Sequence, residues 1–289
     1  MAFCKNTFPE DSSLKGMKLV LDCANGATYR TAPAVFQSLG AEVTPIHCDP
    51  DGTNINEGCG SQHTHNLAEK VRELRADCGL AFDGDGDRLI AVDESGRELS
   101  GDHILAICGG MYKDRGWLKN NLIVLTVMSN FGFRKALEAV GIDYRVASVG
   151  DRYVMEMMQV SDAILGGENS GHIIFRNHHT SGDGIVSALQ LLATVHYCGR
   201  SLSELSKIIQ LYPQKMINVT VSSKPPLASL DELQAAIRSA ESELGKSGRV
   251  LIRYSGTQSM CRVMVEAPTE EMANHLAETL ADTVRSCVG

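Results

Sequence analysis

No stretch of this 289-residue chain approaches the roughly 18 consecutive apolar residues that a membrane helix needs. The opening segment, MAFCKNTFPEDSSLKGMKLV, has acidic residues and a proline where a signal peptide carries its apolar core. Nine cysteines, at 4, 23, 48, 59, 78, 108, 198, 261 and 287, are odd in number, widely spread and never spaced CxxC. They indicate neither a disulfide framework nor a Cys-based zinc site, and a reducing cytoplasm is the simplest home. There is no basic patch either: the formal net charge is −8 and Lys and Arg are scattered, which argues against a nucleic-acid-binding face but leaves room for a small anion held by a few local arginines. Low-complexity tracts are absent. What remains is a chain that is 43% hydrophobic, enough for buried cores in two or three domains of roughly 100 residues each.

The apolar pattern predicts a repeated α/β unit. GMKLVLD (16–22) reads as a strand, Ala32, Val35, Phe36 and Leu39 recur at helical spacing, and AEVTPI is extended again. A loop rich in Gly, Asn and Asp (47–62) and a polar helix near 66–75 follow, and DCGLAF (77–82) reads as a buried strand. The series recurs as LIVLTV (122–127), FRKALEAVG, IDYRVAS, a helix from about Arg152 and DAILGG (162–167). Aligning DCGLAFDGD with DAILGGENS sets Asp83 over Glu168, so two polar loops leave equivalent strand ends, where open α/β sheets bind ligands. From about Tyr212 a small α+β domain is expected, with RVLIRY and RVMVEA joined as a hairpin by SGTQSM. The expected fold class is α/β: two similar α/β domains with mixed sheets, then a small α+β C-terminal domain. The expected boundaries are an N-terminal segment 1–14 and domains 15–113, 114–209 and 210–289.

Three loops carry chemistry. In AFDGDGDRLIAV, Asp83, Asp85 and Asp87 alternate with glycines, and residues i, i+2 and i+4 of an extended backbone point the same way. Three converging carboxylates repel, and an all-oxygen donor set suits a hard cation, Mg²⁺ rather than Ca²⁺ if a phosphate supplies further oxygens. An EF-hand would need glycine where Arg88 stands and helices where the flanks read as strands; a solvated acidic turn would seldom leave a buried strand directly. Arg88 is expected to contact a phosphate, with simple neutralisation of the carboxylates as the alternative. GGENSGHIIF offers Glu168, Asn169, Ser170 and His172, a set of acceptors and donors suited to sugar hydroxyls or an amine, or else an ordinary polar turn. IRYSGTQSMCR places Arg253, Ser255, Gly256, Thr257 and Arg262 in a hairpin that serves either as a phosphate nest or as a plain Ser-Gly turn. Asp151 and Arg152 are further candidates, for the site or for capping a helix. A zinc site from Cys59, His63 and His65 matches no common spacing.

Together and in this order, DGDGDR, GENSGH and R-Y-S-G-T resemble the α-D-phosphohexomutase superfamily, the likeness running from about Leu14 to the C-terminus. DCANGA, NIN..CGS and RYSGTQ...RVMVE are most similar to its hexosamine-phosphate branch. The resemblance implies an enzyme that interconverts glucosamine 6-phosphate and glucosamine 1-phosphate through a phosphoserine and a sugar bisphosphate, feeding UDP-N-acetylglucosamine and cell-wall precursor synthesis. Its alternatives are glucose or mannose phosphates as substrates, or a non-catalytic sugar-phosphate-binding remnant. It implies that Asp83, Asp85 and Asp87 hold Mg²⁺ and that Arg88 faces the transferring phosphoryl group. Glu168, Ser170 and His172 would bind the sugar, and Arg253, Ser255, Gly256 and Thr257 would grip the other phosphate. A homodimer is the family precedent. Two departures stand out: Gln258 replaces the usual Glu, and no serine motif like T-A-S-H-N-P occurs, as though only the second to fourth family domains were represented. The expectation is therefore little or no mutase activity from this polypeptide alone.

Overall fold

The apolar runs at 78–82, 89–93 and 122–126 become strands with every residue buried, because each sheet is covered on both faces. In the computed structural model, which describes residues 1–289, the first half runs α1 (Ala2–Lys5), β1 (Lys18–Asp22), α2 (Thr31–Ser38), β2 (Glu42–Ile46), α3 (His65–Leu74), β3 (Cys78–Phe82), β4 (Leu89–Asp93), β5 (Glu98–Leu99) and α4 (Gly101–Asp114). Next come β6 (Leu122–Thr126), α5 (Phe131–Ala139), β7 (Asp143–Ala147), α6 (Asp151–Ser161), β8 (Leu165–Gly167), β9 (Ile173–Phe175), α7 (Gly184–Cys198) and α8 (Leu202–Leu205).

The expected repeat is visible in the topology. One sheet has the order β2-β1-β3-β4-β5 and the other β7-β6-β8-β9. In each, the first three strands are parallel and the next is antiparallel, so both sheets are mixed. Asp83 follows β3 and Glu168 follows β8, the corresponding strands of the two sheets. The outer face of the first sheet is covered by Leu67, Ala68 and Val71 of α3, and that of the second by Val154 and Met158 of α6.

The inner faces share one core. It runs from Cys4 to Ile209 and includes Phe36, Phe82, Leu105, Phe133, Phe175 and Leu189. Two helices without a clear apolar stripe, α4 and α7, are buried almost throughout, as a helix inside a core should be. The two α/β domains are packed into one compact unit, Met1–Ser129 with Phe133–Gln210, and Asn130–Gly132 with Leu211–Gly289 form the other. The segment 1–14 belongs to the first unit, where Cys4, Phe8 and Leu14 are buried and Gln190 donates to the Thr7 carbonyl. No helix is long and apolar enough to cross a membrane, and all nine cysteines are free thiols.

The second unit contains β10 (Gln214–Thr220), α9 (Asp231–Leu244), β11 (Arg249–Tyr254), β12 (Met260–Glu266) and α10 (Glu270–Val288), with an antiparallel sheet in the order β10-β12-β11. Alternation sorts its faces: Val219, Cys261, Val263 and Val265 pack with Leu233, Leu276 and Leu280 of the two helices.

Gly101, the first residue of α4, sits where a Cβ would meet the Glu168 carbonyl oxygen at 2.1 Å. Gly101→Ala is expected to lower the unfolding free energy by about 1–3 kcal/mol, as overpacking does. Gly110→Ala, whose Cβ would meet only Ile208 at 3.6 Å, is expected to be neutral or to stabilise by a few tenths of a kcal/mol or more through helix propensity. Urea titrations of the two variants check the contrast.

His103 in α4 is buried; desolvation and then the Arg97 charge push its pKa from 6.5 to about 4. The unfolded chain takes up this proton first, so the contribution is fully present above the unfolded value and is lost as pH falls from about 6.5 toward 4. Denaturant midpoints measured across that window should fall with pH, and His103→Leu should flatten the fall.

Candidate functional site

The acidic loop is short because β3 and β4 are neighbours in an antiparallel pair, with Phe82 opposite Leu89. Its six residues turn inside that hairpin and bring carboxylate oxygens of Asp83, Asp85 and Asp87 to within 4.8 Å of one another. Strand flanks, not helices, confirm that this is no EF-hand. The Arg88 backbone N–H donates to Asp83 Oδ1 at 3.1 Å. Its Nε stands 3.6 Å from Asp83 Oδ2 and 3.7 Å from Asp87 Oδ1, close enough to neutralise in part but too far to hydrogen-bond. Both Arg88 Nε and Asp87 Oδ1 are buried without a hydrogen-bond partner. Three oxygen ligands, one partial counter-charge and an unsatisfied carboxylate oxygen fit a hard divalent cation.

The loop is braced from the opposite side by residues of DCANGA and of the 47–62 loop. The Ala27 N–H donates to the Gly84 carbonyl at 2.8 Å, and a Cβ on Gly26 would meet that same oxygen at 2.3 Å. Only glycine at 26 permits this approach. Asn56 donates its N–H to the Ala24 carbonyl at 2.9 Å and packs its side chain beside Gly84.

The sugar-loop candidates are joined to the acidic loop by main-chain atoms. Arg88 and His172 form an isolated antiparallel bridge, Leu89 N–H donates to the Gly171 carbonyl at 3.0 Å, and Gly101 N–H donates to the Asn169 carbonyl at 3.1 Å. His172 is 3% exposed and both its ring nitrogens are engaged. Nε2 accepts from the Gly182 N–H at 3.2 Å, which places the proton on Nδ1, facing Asp87 Oδ2 at 3.0 Å. The side chain expected to bind sugar thus orients a carboxylate of the acidic cluster. Glu168 is half-buried and its Oε1 accepts from the Gly150 N–H at 2.9 Å. Gly150, at the start of α6, is a site residue that sequence reasoning missed, although its neighbours Asp151 and Arg152 were singled out. Those two are engaged locally: Asp151 accepts the Arg152 N–H, and the exposed Arg152 pairs with Glu156 at 2.8 Å. The Ser170 hydroxyl is buried without a partner, and Asn169 is exposed. A cleft of about 270 Å³ opens beside the cluster, lined by Thr28, Asp85, Asp87, Gly182 and Asp183. A larger hollow of about 450 Å³, between Lys15, Asp77, Glu94 and Arg200, involves none of these loops.

In the second unit, Arg253 and Arg262 are directly opposite each other on β11 and β12, on the face away from the helices. Like charges so placed repel, and the Arg262 Nε is buried without a hydrogen-bond partner. At the hairpin tip Ser255 is buried, its Oγ accepts from the Gln258 N–H at 3.3 Å, and Lys224 Nζ donates to its carbonyl at 2.6 Å. Gly256 and Thr257 are exposed. Two opposed guanidinium groups near a glycine turn suit a doubly charged anion.

Three family models of phosphoglucomutase/phosphomannomutase match in sequence order: alpha/beta/alpha domain II over residues 2–96, alpha/beta/alpha domain III over 100–212 and the C-terminal domain over 216–283. The chain belongs to the phosphoglucomutase/phosphomannomutase family. Family domain III begins beside Gly101, so α4 goes with the second sheet, where Gly109 lies against Ile123 and Leu165. The phosphoglucosamine mutase of Syntrophobacter fumaroxidans (strain DSM 10017 / MPOB) is 54% identical over 289 residues, covering 100% of this chain and 64% of the relative. That of Syntrophus aciditrophicus (strain SB) is also 54% identical, with the same coverage. The chain thus spans about 64% of the length of these curated relatives. The crystal structure of Aspergillus fumigatus N-acetylphosphoglucosamine mutase in complex with GlcNAc-6P and magnesium shares the fold, with a TM-score of 0.79 at 22% identity over 100% of this chain and 64% of that one.

Inorganic phosphate is expected to raise the thermal midpoint, as any ligand of the native state does. Arg253→Ala and Arg262→Ala should each cost little stability in phosphate-free buffer, since each relieves repulsion, yet each should cancel the phosphate-induced rise while leaving the response to Mg²⁺ intact. Differential scanning fluorimetry reads both effects.

Proposed function

We propose that these residues supply the metal, sugar and phosphate loops of a phosphoglucosamine mutase, an intramolecular phosphotransferase that interconverts glucosamine 6-phosphate and glucosamine 1-phosphate through a phosphoserine and a bisphosphate. The observation that carries the reading is the main-chain stitching of the DGDGDR turn to the GENSGH turn, which sets a cation-binding carboxylate cluster beside a polar sugar-type loop. The sequence likeness to phosphoglucosamine mutases at 54% identity supports a hexosamine phosphate as the substrate.

On this reading Asp83, Asp85 and Asp87 hold Mg²⁺, with His172 keeping Asp87 in its rotamer. The bound cation would supply charge neutralisation at the transferring phosphoryl group. Arg88, whose guanidinium is only loosely held by Asp83 and Asp87, turns to the same phosphoryl oxygens. Glu168, aimed by the Gly150 N–H, accepts from sugar hydroxyls, and Ser170 and Asn169 complete the polar set. Arg253 and Arg262, with Ser255, Gly256 and Thr257, hold the phosphate that is not being transferred. The chemistry asks of these groups positioning and charge neutralisation, with no nucleophile among them. No T-A-S-H-N-P-like serine motif occurs among the 289 residues, and these loops are assigned no phosphoryl-donor role.

The test uses the purified 289-residue chain with Mg²⁺ and each of glucosamine, glucose and mannose 6-phosphate. Calorimetry should show Mg²⁺-dependent binding, strongest for the glucosamine ester and lost in Asp85→Asn. Interconversion, followed by ³¹P NMR, should stay at background until the phosphoserine domain of a relative is added in trans. Turnover by the chain alone at ordinary enzyme rates would refute the division of roles, and preference for glucose or mannose phosphate would move the assignment to another branch of the family.

A further inference from the structure

Outside the loops above, one mixed cluster of ligand-type side chains gathers at the ends of β1 and β2. Asp22 stands at the end of β1, His47 immediately follows β2, and Cys59 lies in the loop that covers both strand ends. A carboxylate oxygen, a ring nitrogen and the thiol sulfur lie within 4.8 Å of one another. Asp22 and Cys59 are fully buried, while His47 closes the solvent side with 27% of its side chain exposed.

The cluster is built. Asp22 Oδ1 accepts from the Ala24 N–H at 2.9 Å and Oδ2 from the Gly60 N–H at 3.0 Å, which fixes the carboxylate as outer hydrogen bonds fix a metal ligand. His47 adopts a left-handed φ of +50°, uncommon for a non-glycine residue. Its buried Nδ1 comes 3.0 Å from Asp22 Oδ2 yet makes no hydrogen bond. Cys59 is held between Gly58 and Gly60; a Cβ on Gly60 would meet the Ala24 Cβ and the Phe82 carbonyl oxygen, each at 2.6 Å. The neighbouring Cys48 donates its thiol to the Ile46 carbonyl at 3.4 Å, and Cys59 is the thiol of the cluster.

We propose that Asp22, His47 and Cys59 form a site for a borderline-soft divalent cation of the zinc class. Sulfur, imidazole nitrogen and carboxylate oxygen are the three donor types such an ion takes, and a solvent molecule on the His47 side completes four-coordination. Metal–ligand bonds of about 2.0–2.3 Å put two ligands of a tetrahedron roughly 3.3–3.8 Å apart, a spread the cluster meets with small side-chain rotations. The site differs in kind from the Asp83, Asp85 and Asp87 cluster, which has only hard oxygen donors. Sulfur ligates as the thiolate, so binding at Cys59 expels the thiol proton to solvent. Bound there, the ion ties the 47–62 loop to two strand ends, and through Asn56 and Ala27 it bears on Gly84 of the acidic loop.

Co²⁺ added to the reduced, metal-stripped 289-residue chain in saturating Mg²⁺, which fills the oxygen site, is the test. Expected are one equivalent of bound Co²⁺, a near-ultraviolet thiolate-to-cobalt charge-transfer band, tetrahedral d–d bands, displacement by Zn²⁺ and release of one proton per ion. Cys59→Ser should abolish the charge-transfer band. His47→Asn, which keeps a residue that tolerates left-handed backbone, should weaken binding at least tenfold with its circular dichroism unchanged, and it decides the matter if the Cys59 variant does not fold. Absence of the band in the unaltered chain would overturn the proposal. So would its persistence in Cys59→Ser, or undiminished affinity in His47→Asn.

Discussion

Three carboxylates with oxygens inside 4.8 Å repel by roughly 3.5 kcal/mol per pair at an effective dielectric constant near 20, less where Asp85 meets solvent. A main-chain hydrogen bond contributes about 1 kcal/mol, so no single brace holds the turn. Several act together: Ala27 on Gly84, Arg88 on Asp83, Leu89 on Gly171 and Gly184 on Gly86. His172, just before β9 of the other sheet, adds a hydrogen-bond donor against Asp87. The repulsion is tolerated because the frame around it is made of backbone, which cannot move aside as side chains do.

That frame exists because two copies of one α/β pattern share a core. Each copy ends its third strand in a polar loop, and α4 and α7 fill the space between the sheets. Packing the copies on common helices brings the loops into register, so that β4 and β9 begin beside each other through the Arg88 and His172 bridge. Had the halves been independent domains, the same loops would be free to separate.

The strands and the acidic turn were legible because an apolar run that changes abruptly to alternating Asp and Gly has few structural meanings. The α4 and α7 helices were not, since periodicity fades when every face is apolar, and with them went the shared core. At the site, residue types were readable but partnerships were not. His172 carries the same signature whether it meets a sugar or Asp87, and the latter is 85 positions away in sequence. Cys59 was weighed against the nearby His63 and His65, whereas the fold delivers His47 and Asp22 to it. The resemblance to a family supplied roles, and the coordinates supplied which atoms face which.

The joining of the two loops through main-chain atoms separates what is fixed from what is variable. Leu89, Gly171, Gly101 and Asn169 are tied by main-chain N–H and C=O groups, with glycine required at 101 and 171, while the side chains at 169 and 170 make no hydrogen bond that holds the loop. Selection can exchange those side chains without disturbing the carboxylates next door. On the proposed reading, one frame can in this way pass from one sugar to another in single steps, each leaving the carboxylate geometry as it was.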